Sequence, residues 1–416
     1  MLAPSGTSRR GRLPLIALAA VVVAIVTACG STATPAPGPT PTPSPTVTPT
    51  VAPLSSMVAV PTTRLDAPAN LQVGTASAAA LQKALTNIAA GVPGVQAAVV
   101  YPDGSTWAGS AGKAVIATGQ AMTGDTLLAI GSVTKTFTGA VVMKLVEQGT
   151  LSLADPLSKY LPSFPNAANI TLLELLNHTS GISDIFEPHA YYYIQARKSV
   201  RWTPDRTLTQ IGAPYFAPGQ GYHYSSTNYI ILGMVVEAAT GQTLASLIRS
   251  DFLTPLGLDH TFLQSEETPV GPLAHGYLGS VKSPKDVSAG QTLIPYVSAA
   301  TAVGAAGGMA STATDVARWA SALYSGRVFG PATLASILDT TATVPYKLYY
   351  PYGLGVEEYV LNGHLAWGHR GHVDGFWSMV VYVPDSGIAV ALLANADWVN
   401  PVTQMNKLLT AAIPAA

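Results

Sequence analysis

A short strand gives way to a helix at Ile130-Gly131-Ser132-Val133-Thr134-Lys135. Residues 127–130 are apolar and predict the strand, and a glycine ends it. From 133 to 148 the spacing of apolar residues predicts a long helix, which Gly149 closes, because glycine is favoured just past a helix C-terminus. Positions i and i+3 share one face of a helix, so Lys135 is predicted to lie within reach of Ser132.

Ser132 and Lys135 form a candidate nucleophile and base. A serine hydroxyl is a weak nucleophile and needs a base beside it. Burial near apolar neighbours such as Phe137 would lower the pKa of the lysine and favour its neutral form. The start of the helix also offers unpaired backbone N–H groups for an oxyanion. By itself the S-x-x-K pattern is a weak signal, since a capped, solvated helix start produces it as well.

Strands are predicted near both ends of the folded chain. A helix over 77–90 is followed by a hairpin, with strands over 95–101 and 105–116 around Pro102-Asp103-Gly104. The segment from about 150 to 300 is broken by proline and glycine and predicts short helices and loops. The C-terminal part predicts a helix, four strands and a last helix, over 311–324, 353–360, 364–369, 376–383, 388–393 and 401–412.

This order of elements predicts an α+β fold. We expect a three-layer α/β sandwich, in which one antiparallel sheet is built from both chain ends and flanked by helices. A mainly helical domain, about 150–300, is inserted between the two halves of the sheet. The sequence shows no internal repeat.

The N-terminal residues predict export and anchoring. Arg9, Arg10 and Arg12 precede an apolar run over 13–28 that is short for a bilayer span, which favours a signal peptide over 1–28. Cys29 follows directly and resembles the lipobox cysteine of bacterial lipoproteins, so lipidation is predicted there; an uncleaved signal anchor is the rival. A Pro/Thr-rich linker over 29–74 would then hold a hydrolytic domain, 75–416, outside the bacterial cell membrane.

Composition narrows the possible partners. The formal net charge is −1 and only 10% of residues are charged. No basic tract is long enough to follow a phosphate backbone, so nucleic acid is not expected as a partner. Cys29 is the only cysteine in the sequence, so no intramolecular disulfide can form. No cofactor is indicated, and a monomer is expected.

Six further motifs follow Ser132 along the sequence. The pattern G-x-S-x-G is absent, which argues against the nucleophile turn of an α/β-hydrolase. The six motifs are 172–181 (LLELLNHTSG), 216–219 (FAPG), 224–229 (YSSTNY), 255–258 (PLGL), 308–315 (GMASTATD) and 368–376 (GHRGHVDGF). With the S-x-x-K pattern, this series resembles the β-lactamase-related serine hydrolases, which include class C β-lactamases, D-alanyl-D-alanine carboxypeptidases and related esterases. The resemblance spans about 80 to 400.

The resemblance implies a role for each matching residue. Ser132 would be acylated, and Lys135 and Tyr224 would share the proton transfers, with nearby cations lowering the pKa of the tyrosine. His369-Arg370-Gly371 matches the H-x-G form of the third motif. Strand alternation would turn His369 inward and Arg370 away, and Gly371 would let substrate approach the backbone. The backbone N–H groups of His372 and Ser132 would form the oxyanion hole.

One position departs from the family pattern. Many relatives have Tyr-x-Asn where this chain has Tyr224-Ser225-Ser226, so Ser226 takes the place of an amide that contacts substrate. His178 is interpreted as a structural residue that shapes a turn. A metal site at His364, His369, His372 and Asp374 is not predicted, because positions 369 and 372 lie on opposite faces of a strand.

These residues predict acyl transfer through a Ser132 acyl-enzyme that water releases. The first substrate hypothesis is D-alanyl-D-alanine carboxypeptidase-like action on cell-wall peptides, and the alternatives are an esterase and a class C-like β-lactamase. A hypothesis of another class is a non-catalytic receptor for penicillins or peptidoglycan. The three residues Ser132, Lys135 and Tyr224 favour an enzyme, whereas Ser226 keeps the receptor open.

Overall fold

The computed structural model describes residues 71–343, 348 and 350–413. The predicted signal peptide, Cys29 and nearly all of the predicted linker lie outside these residues and stay predictions. The end of the linker segment is described. It forms a strand, β1 (Leu71–Gln72), that pairs in parallel with the hairpin, so folded structure begins before the predicted boundary at 75.

The main sheet is assembled from both ends of the chain, as predicted. Its strands run in the spatial order β1-β3-β2-β13-β12-β11-β10, and all neighbours after β1 are antiparallel. The strands are β2 (Gly94–Val100), β3 (Ser105–Val115), β10 (Glu357–Leu361), β11 (His364–Val373), β12 (Phe376–Val383) and β13 (Ile388–Ala394), with β4 (Gln120–Ala121) beside β3.

Helices and short strands fill the space between and around these strands. The helices are α1 (Thr75–Ala89), α2 (Thr134–Glu147), α3 (Leu172–Leu176), α4 (Pro188–Gln195), α5 (Pro204–Leu208), α6 (Ser226–Thr240), α7 (Leu244–Ile248), α8 (Thr254–Leu256), α9 (Val297–Gly307), α10 (Ala313–Tyr324), α11 (Pro331–Leu338) and α12 (Pro401–Ala412). A π-helical turn, Arg249–Leu253, joins α7 to α8. The short strands are β5 (Leu128–Ala129), β6 (Phe262–Leu263) and β9 (Met309–Ser311) in one sheet, and β7 (Tyr277–Ser280) and β8 (Ser283–Asp286) in another.

The sheet separates two hydrophobic cores, which confirms the three-layer sandwich. Every residue of β13 is buried, and successive side chains point to opposite faces of a strand. Val390 and Leu392 pack in the core with α1 and α12, whereas Ala391 and Leu393 pack in the core with α2 and α10. A central strand that is buried on both faces therefore reads as a continuous apolar run.

Two strand boundaries differ from the sequence prediction. β10 begins at Glu357, not at 353, because Gly355 adopts a left-handed φ of 85° in a turn. β11 continues to Val373, beyond the predicted end at 369, because its pairing with β12 persists up to the Asp374-Gly375 turn. The extension places His369, Gly371 and His372 on one regular strand.

Between about 150 and 300, where the helical insertion was predicted, the chain forms mainly short helices, with the short strands β6, β7 and β8 among them. In the described part of the chain, no single helix is long and apolar enough to cross a membrane, although the bent pair Ser226–Thr240 and Leu244–Leu256 passes by length and composition.

Candidate active site

Ser132 lies in a tight turn between β5 and α2. Gly131–Val133 form one 3-10 turn that leads directly into the helix. Gly131 has a φ of 49°, and a Cβ at this position would lie 2.7 Å from the backbone nitrogen of His372 on β11. Glycine is required here because the nucleophile's turn presses against the neighbouring strand.

Lys135 is completely buried and contacts three acceptors. Its Nζ lies 3.0 Å from Ser132 Oγ, 3.3 Å from Ser226 Oγ and 2.8 Å from the carbonyl oxygen of Ala306. A neutral amine has two N–H donors and one lone pair. The carbonyl of Ala306 and the hydroxyl of Ser226 can accept the two donors, which leaves the lone pair for the Ser132 proton.

Burial lowers the pKa of Lys135 to about 7, and the carboxylates of Asp184 and Glu357 act in the opposite direction. The lysine is therefore available as a neutral base near neutral pH. The predicted Ser132–Lys135 contact and the predicted effect of burial are both present.

Ser226 is the first residue of α6 and stands where the family pattern has asparagine. Its hydroxyl accepts a hydrogen bond from Lys135 Nζ. Its backbone N–H donates to Asp184 Oδ1 at 2.9 Å. A carboxylate at a helix N-terminus is favoured by the unpaired N–H groups there. Asp184 belongs to the loop after the 172–181 motif, and sequence reasoning missed it. Its only signal was its place three residues beyond that motif.

Tyr224 lies beside Ser132, but its expected pKa shift is wrong in direction. Burial raises the pKa of Tyr224 well above its ordinary value, and the carboxylates of Glu357 and Asp184 raise it further. Lys135 Nζ lies 4.9 Å from the centroid of the ring but does not reverse this shift. Its buried hydroxyl makes no well-aligned hydrogen bond among the described residues, and it interacts with Ser132, which acts to lower its pKa. Tyr224 is thus a protonated phenol at neutral pH and not a phenolate base.

His178 packs against the ring of this tyrosine, which agrees with its interpretation as a structural residue. It has a left-handed φ of 64°, and its ring lies 4.3 Å from the ring of Tyr224 between centroids. Its Nδ1 accepts from the backbone N–H of Ser225 at 3.2 Å. Burial lowers the pKa of His178, so the imidazole is neutral.

His369 is buried and lines the site, as predicted. Its Nδ1 lies 2.6 Å from the carbonyl oxygen of Arg370, and its Nε2 lies 2.9 Å from the hydroxyl of Tyr352. The first contact requires Nδ1 to carry the proton, so Nε2 accepts from the tyrosine. Burial lowers the pKa of His369 to about 4, so the ring is neutral at pH 7. Tyr352, which donates to His369, is the second residue of the site, after Asp184, that sequence reasoning missed.

The expectation that Arg370 points away from the site is wrong. Arg370 lines the same cavity, and Glu357 on β10 contacts its guanidinium through Nε at 3.2 Å and Nη2 at 3.1 Å. The guanidinium also stacks over the ring of Tyr350, 4.4 Å from its centroid. The side chain is held at the cavity wall by these partners.

Gly371 lines the cavity, and glycine is also required there by the packing behind it. A Cβ at this position would lie 2.0 Å from the carbonyl oxygen of Ile130 and 2.3 Å from Ser378 Oγ. The space is taken by the turn that carries Ser132, and Ser378 Oγ donates to the same Ile130 oxygen at 2.7 Å. Gly371 therefore lets β11 approach the nucleophile's own strand.

We expect Gly371→Ala to displace the Ser132 turn, because the methyl group has no free volume. The expected loss is about 1–3 kcal/mol of stability and about a hundredfold in kcat/KM. Thermal unfolding and steady-state kinetics measure the two effects. Gly124→Ala is the matched control, since no atom lies within 4 Å of its Cβ position and its φ is ordinary. Wild-type activity and melting in Gly371→Ala would contradict the close approach.

The two backbone N–H groups predicted to form the oxyanion hole, those of Ser132 and His372, belong to segments that lie against each other. The backbone of His372 lies against Gly131, the residue before Ser132. The ring of His372 packs on the ring of Trp377, with centroids 4.9 Å apart. The chain thus brings the backbones of Ser132 and His372 together from opposite halves of the sequence.

These residues open into one cavity of about 490 Å³. Most of its wall is polar or aromatic, and its described lining residues are Ser132, Asp184, Phe186, Tyr222, Tyr224, Ser226, Leu348, Tyr350, Glu357, His369, Arg370, Gly371, His372 and Trp377. A larger cavity of about 650 Å³ is lined mostly by apolar side chains of 160–170 and 205–218, away from Ser132 and Lys135.

No cluster of metal-ligating side chains occurs in the part of the chain that the structure describes. Asp374, the fourth member of the rejected metal site, instead accepts hydrogen bonds from Tyr191, Tyr296 and Gln195.

The sequence is similar to a known protein family over most of its folded part. The sequence model of the family described as Beta-lactamase matches residues 78–413. Penicillin-binding protein 4 from Amycolatopsis lactamdurans is 30% identical over 332 residues, which cover 73% of this chain and 81% of that protein.

Two solved structures are similar over nearly their whole length. The D-stereospecific amidohydrolase from Streptomyces sp. is 29% identical with a TM-score of 0.70, covering 81% of this chain and 99% of its own. The D-amino acid amidase from Ochrobactrum anthropi SV3 complexed with D-phenylalanine is 26% identical with a TM-score of 0.70, covering 82% and 99%. All residues of the cavity fall inside the region that the family model matches.

Proposed function

The chain belongs to the β-lactamase family, and from this premise we propose that it is a serine hydrolase that forms an acyl-enzyme at Ser132. The observation that carries the proposal is the buried contact of 3.0 Å between Lys135 Nζ and Ser132 Oγ. A lysine whose pKa is lowered to about 7 can take the serine proton without help from a histidine.

The proton path follows from the protonation states of the site. Lys135 takes the Ser132 proton while Oγ attacks the substrate carbonyl, and the backbone N–H groups of Ser132 and His372 receive the oxyanion. As the C–N bond breaks, Tyr224 gives its proton to the leaving amine and regains one from the Lys135 ammonium. Water then takes the place of the amine: it gives a proton to Tyr224, which passes its own to Lys135, while the water oxygen attacks the acyl carbonyl. Lys135 returns this proton to Ser132 Oγ as the bond between Oγ and the acyl carbon breaks and the acid leaves.

For the substrate, we propose an amide bond on the carbonyl side of a D-amino acid residue. The similarity to a D-stereospecific amidohydrolase, a D-amino acid amidase and a penicillin-binding protein supports this class. It includes the D-alanyl-D-alanine carboxypeptidase-like action on cell-wall peptides, and ester or β-lactam hydrolysis uses the same steps. Ser226 bonds Lys135, so loss of the family's asparagine leaves the base positioned, which argues against a non-catalytic receptor.

The test is to trap the acyl group. The protein is incubated with a D-amino acid amide, a D-Ala-D-Ala peptide, a nitrophenyl ester and a fluorescent penicillin, then quenched in acid and mapped by mass spectrometry. We expect amide turnover and an acyl mass on the peptide that contains Ser132. Ester turnover alone would indicate an esterase, stable penicillin labelling without turnover would indicate a receptor, and an adduct at another residue would overturn the nucleophile.

A further inference from the structure

The described wall of the cavity carries more negative than positive groups, which affects the charge of the substrate that it can bind. Two carboxylates line the described wall, Asp184 and Glu357, against one guanidinium, Arg370. Burial lowers the pKa of both His369 and His372, so neither ring adds a positive charge at pH 7. When Lys135 is neutral, as its role as base requires, one negative charge is left over.

Arg370 is already engaged. Glu357 contacts its guanidinium twice and also accepts from its backbone N–H at 3.1 Å, and the ring of Tyr350 covers one face. A substrate carboxylate would have to compete with Glu357 for this cation. A terminal carboxylate, which D-Ala-D-Ala peptides and penicillins both carry, therefore meets no unpaired cation among the described residues of the wall.

Asp184 is the carboxylate without a guanidinium partner. It accepts hydrogen bonds from the backbone N–H groups of Ser226 and Phe186, and Lys135 and, more weakly, His223 act on it as positive charges. Burial raises the pKa of Asp184, which Lys135 opposes most strongly among these charges. The main cation that stabilises Asp184 is thus the same group that must lose its proton for catalysis.

We propose that Asp184 binds the ammonium group of the substrate, so that the cavity selects D-amino acid amides with a free amine over substrates that end in a carboxylate. This specificity rests on the proposed function. An ammonium beside Asp184 replaces Lys135 as its stabilising cation. It also favours the neutral form of Lys135, because like charges disfavour each other's ionisation.

The aromatic wall fits such a substrate. Phe186, Tyr222, Tyr350 and Trp377 line the cavity. Aromatic faces attract cations and pack against large apolar side chains. The volume of about 490 Å³ lies within the usual range for small-molecule sites, about 300–1,000 Å³. An amide of D-phenylalanine combines the ammonium with such a side chain.

The test compares D-phenylalaninamide with N-acetyl-D-phenylalaninamide, which lacks the charge, at pH 7. We expect the wild type to have the higher kcat/KM for the free amine. In Asp184→Asn, which keeps an oxygen to accept from Ser226, the ratio of the two kcat/KM values should fall roughly tenfold to a hundredfold, chiefly through KM for the free amine. Glu187→Gln removes a charge from the same loop outside the cavity and should leave the ratio unchanged.

Each of the following results would overturn the inference. An equal loss on both amides in Asp184→Asn would show that Asp184 only caps α6. A wild-type preference for an acetylated D-Ala-D-Ala dipeptide would show that the site takes a carboxylate. If no amide, ester, peptide or penicillin acylates Ser132, the proposed function fails together with the inference, whereas an unchanged ratio with normal acylation overturns the inference alone.

Discussion

Replacing Ser132 with alanine is expected to abolish covalent labelling and to lower kcat by about 10⁴- to 10⁶-fold. The side chain supplies the only atom that bonds to the substrate in the proposed reaction. Its removal leaves the backbone N–H groups, the cavity and Lys135 in place, so binding should persist. Steady-state kinetics on an amide and an ester, with mass spectrometry of the intact protein, measure the loss.

The variant also separates chemistry from folding. Ser132→Ala removes one hydroxyl from a turn held by backbone contacts, so its thermal unfolding should match the wild type. Ser110→Ala, on β3 and outside the cavity lining, is a control for the same chemical change. Substantial turnover or labelling in Ser132→Ala would show that another residue is the nucleophile.

The second large effect is expected for Lys135→Met, which preserves length and burial but removes the base. We expect kcat/KM to fall by about 10²- to 10⁴-fold, without loss of stability, because the variant no longer buries an ionisable amine. Lys144→Met is the matched control, since Lys144 lies on the same helix and pairs at the surface with Glu147.

The pH profile of the wild type tests the same assignment. The pKa of Lys135 is lowered to about 7, and only the neutral amine can take the serine proton. With an ester substrate that has no ionisable group, kcat/KM should therefore rise as the pH increases through about 7 and fall below it. A flat profile over this range, or an acid limb that survives in Lys135→Met, would assign the base to another group.

The elements that the sequence predicted well carry local signals. The 95–116 hairpin has a Pro-Asp-Gly turn between two apolar strands, and the S-x-x-K helix begins after a glycine and ends before one. The Ser132–Lys135 pair needed only the helical period of i to i+3. Boundaries were wrong at β10 and β11, where a left-handed glycine and continued pairing with β12 decide the end of the strand.

The residues that were missed or given a wrong role have no local signal. Asp184 comes from a loop, Glu357 from an edge strand and Tyr352 from an isolated β-bridge before that strand, and they join the other site residues only in the folded chain. The pKa of Tyr224 was expected to fall, yet burial and two carboxylates raise it. The desolvation of a buried side chain depends on all the elements packed around it, so a short sequence motif does not predict it.

The sequence by itself determined the order of the elements, the Ser132–Lys135 pair and the family resemblance, because periodicity and short motifs are properties of neighbouring residues. Only the tertiary structure decided the protonation states of Lys135 and Tyr224, the reason for Gly371 and the surplus negative charge of the cavity. These depend on burial and on contacts between residues far apart in the chain, which a linear pattern does not encode.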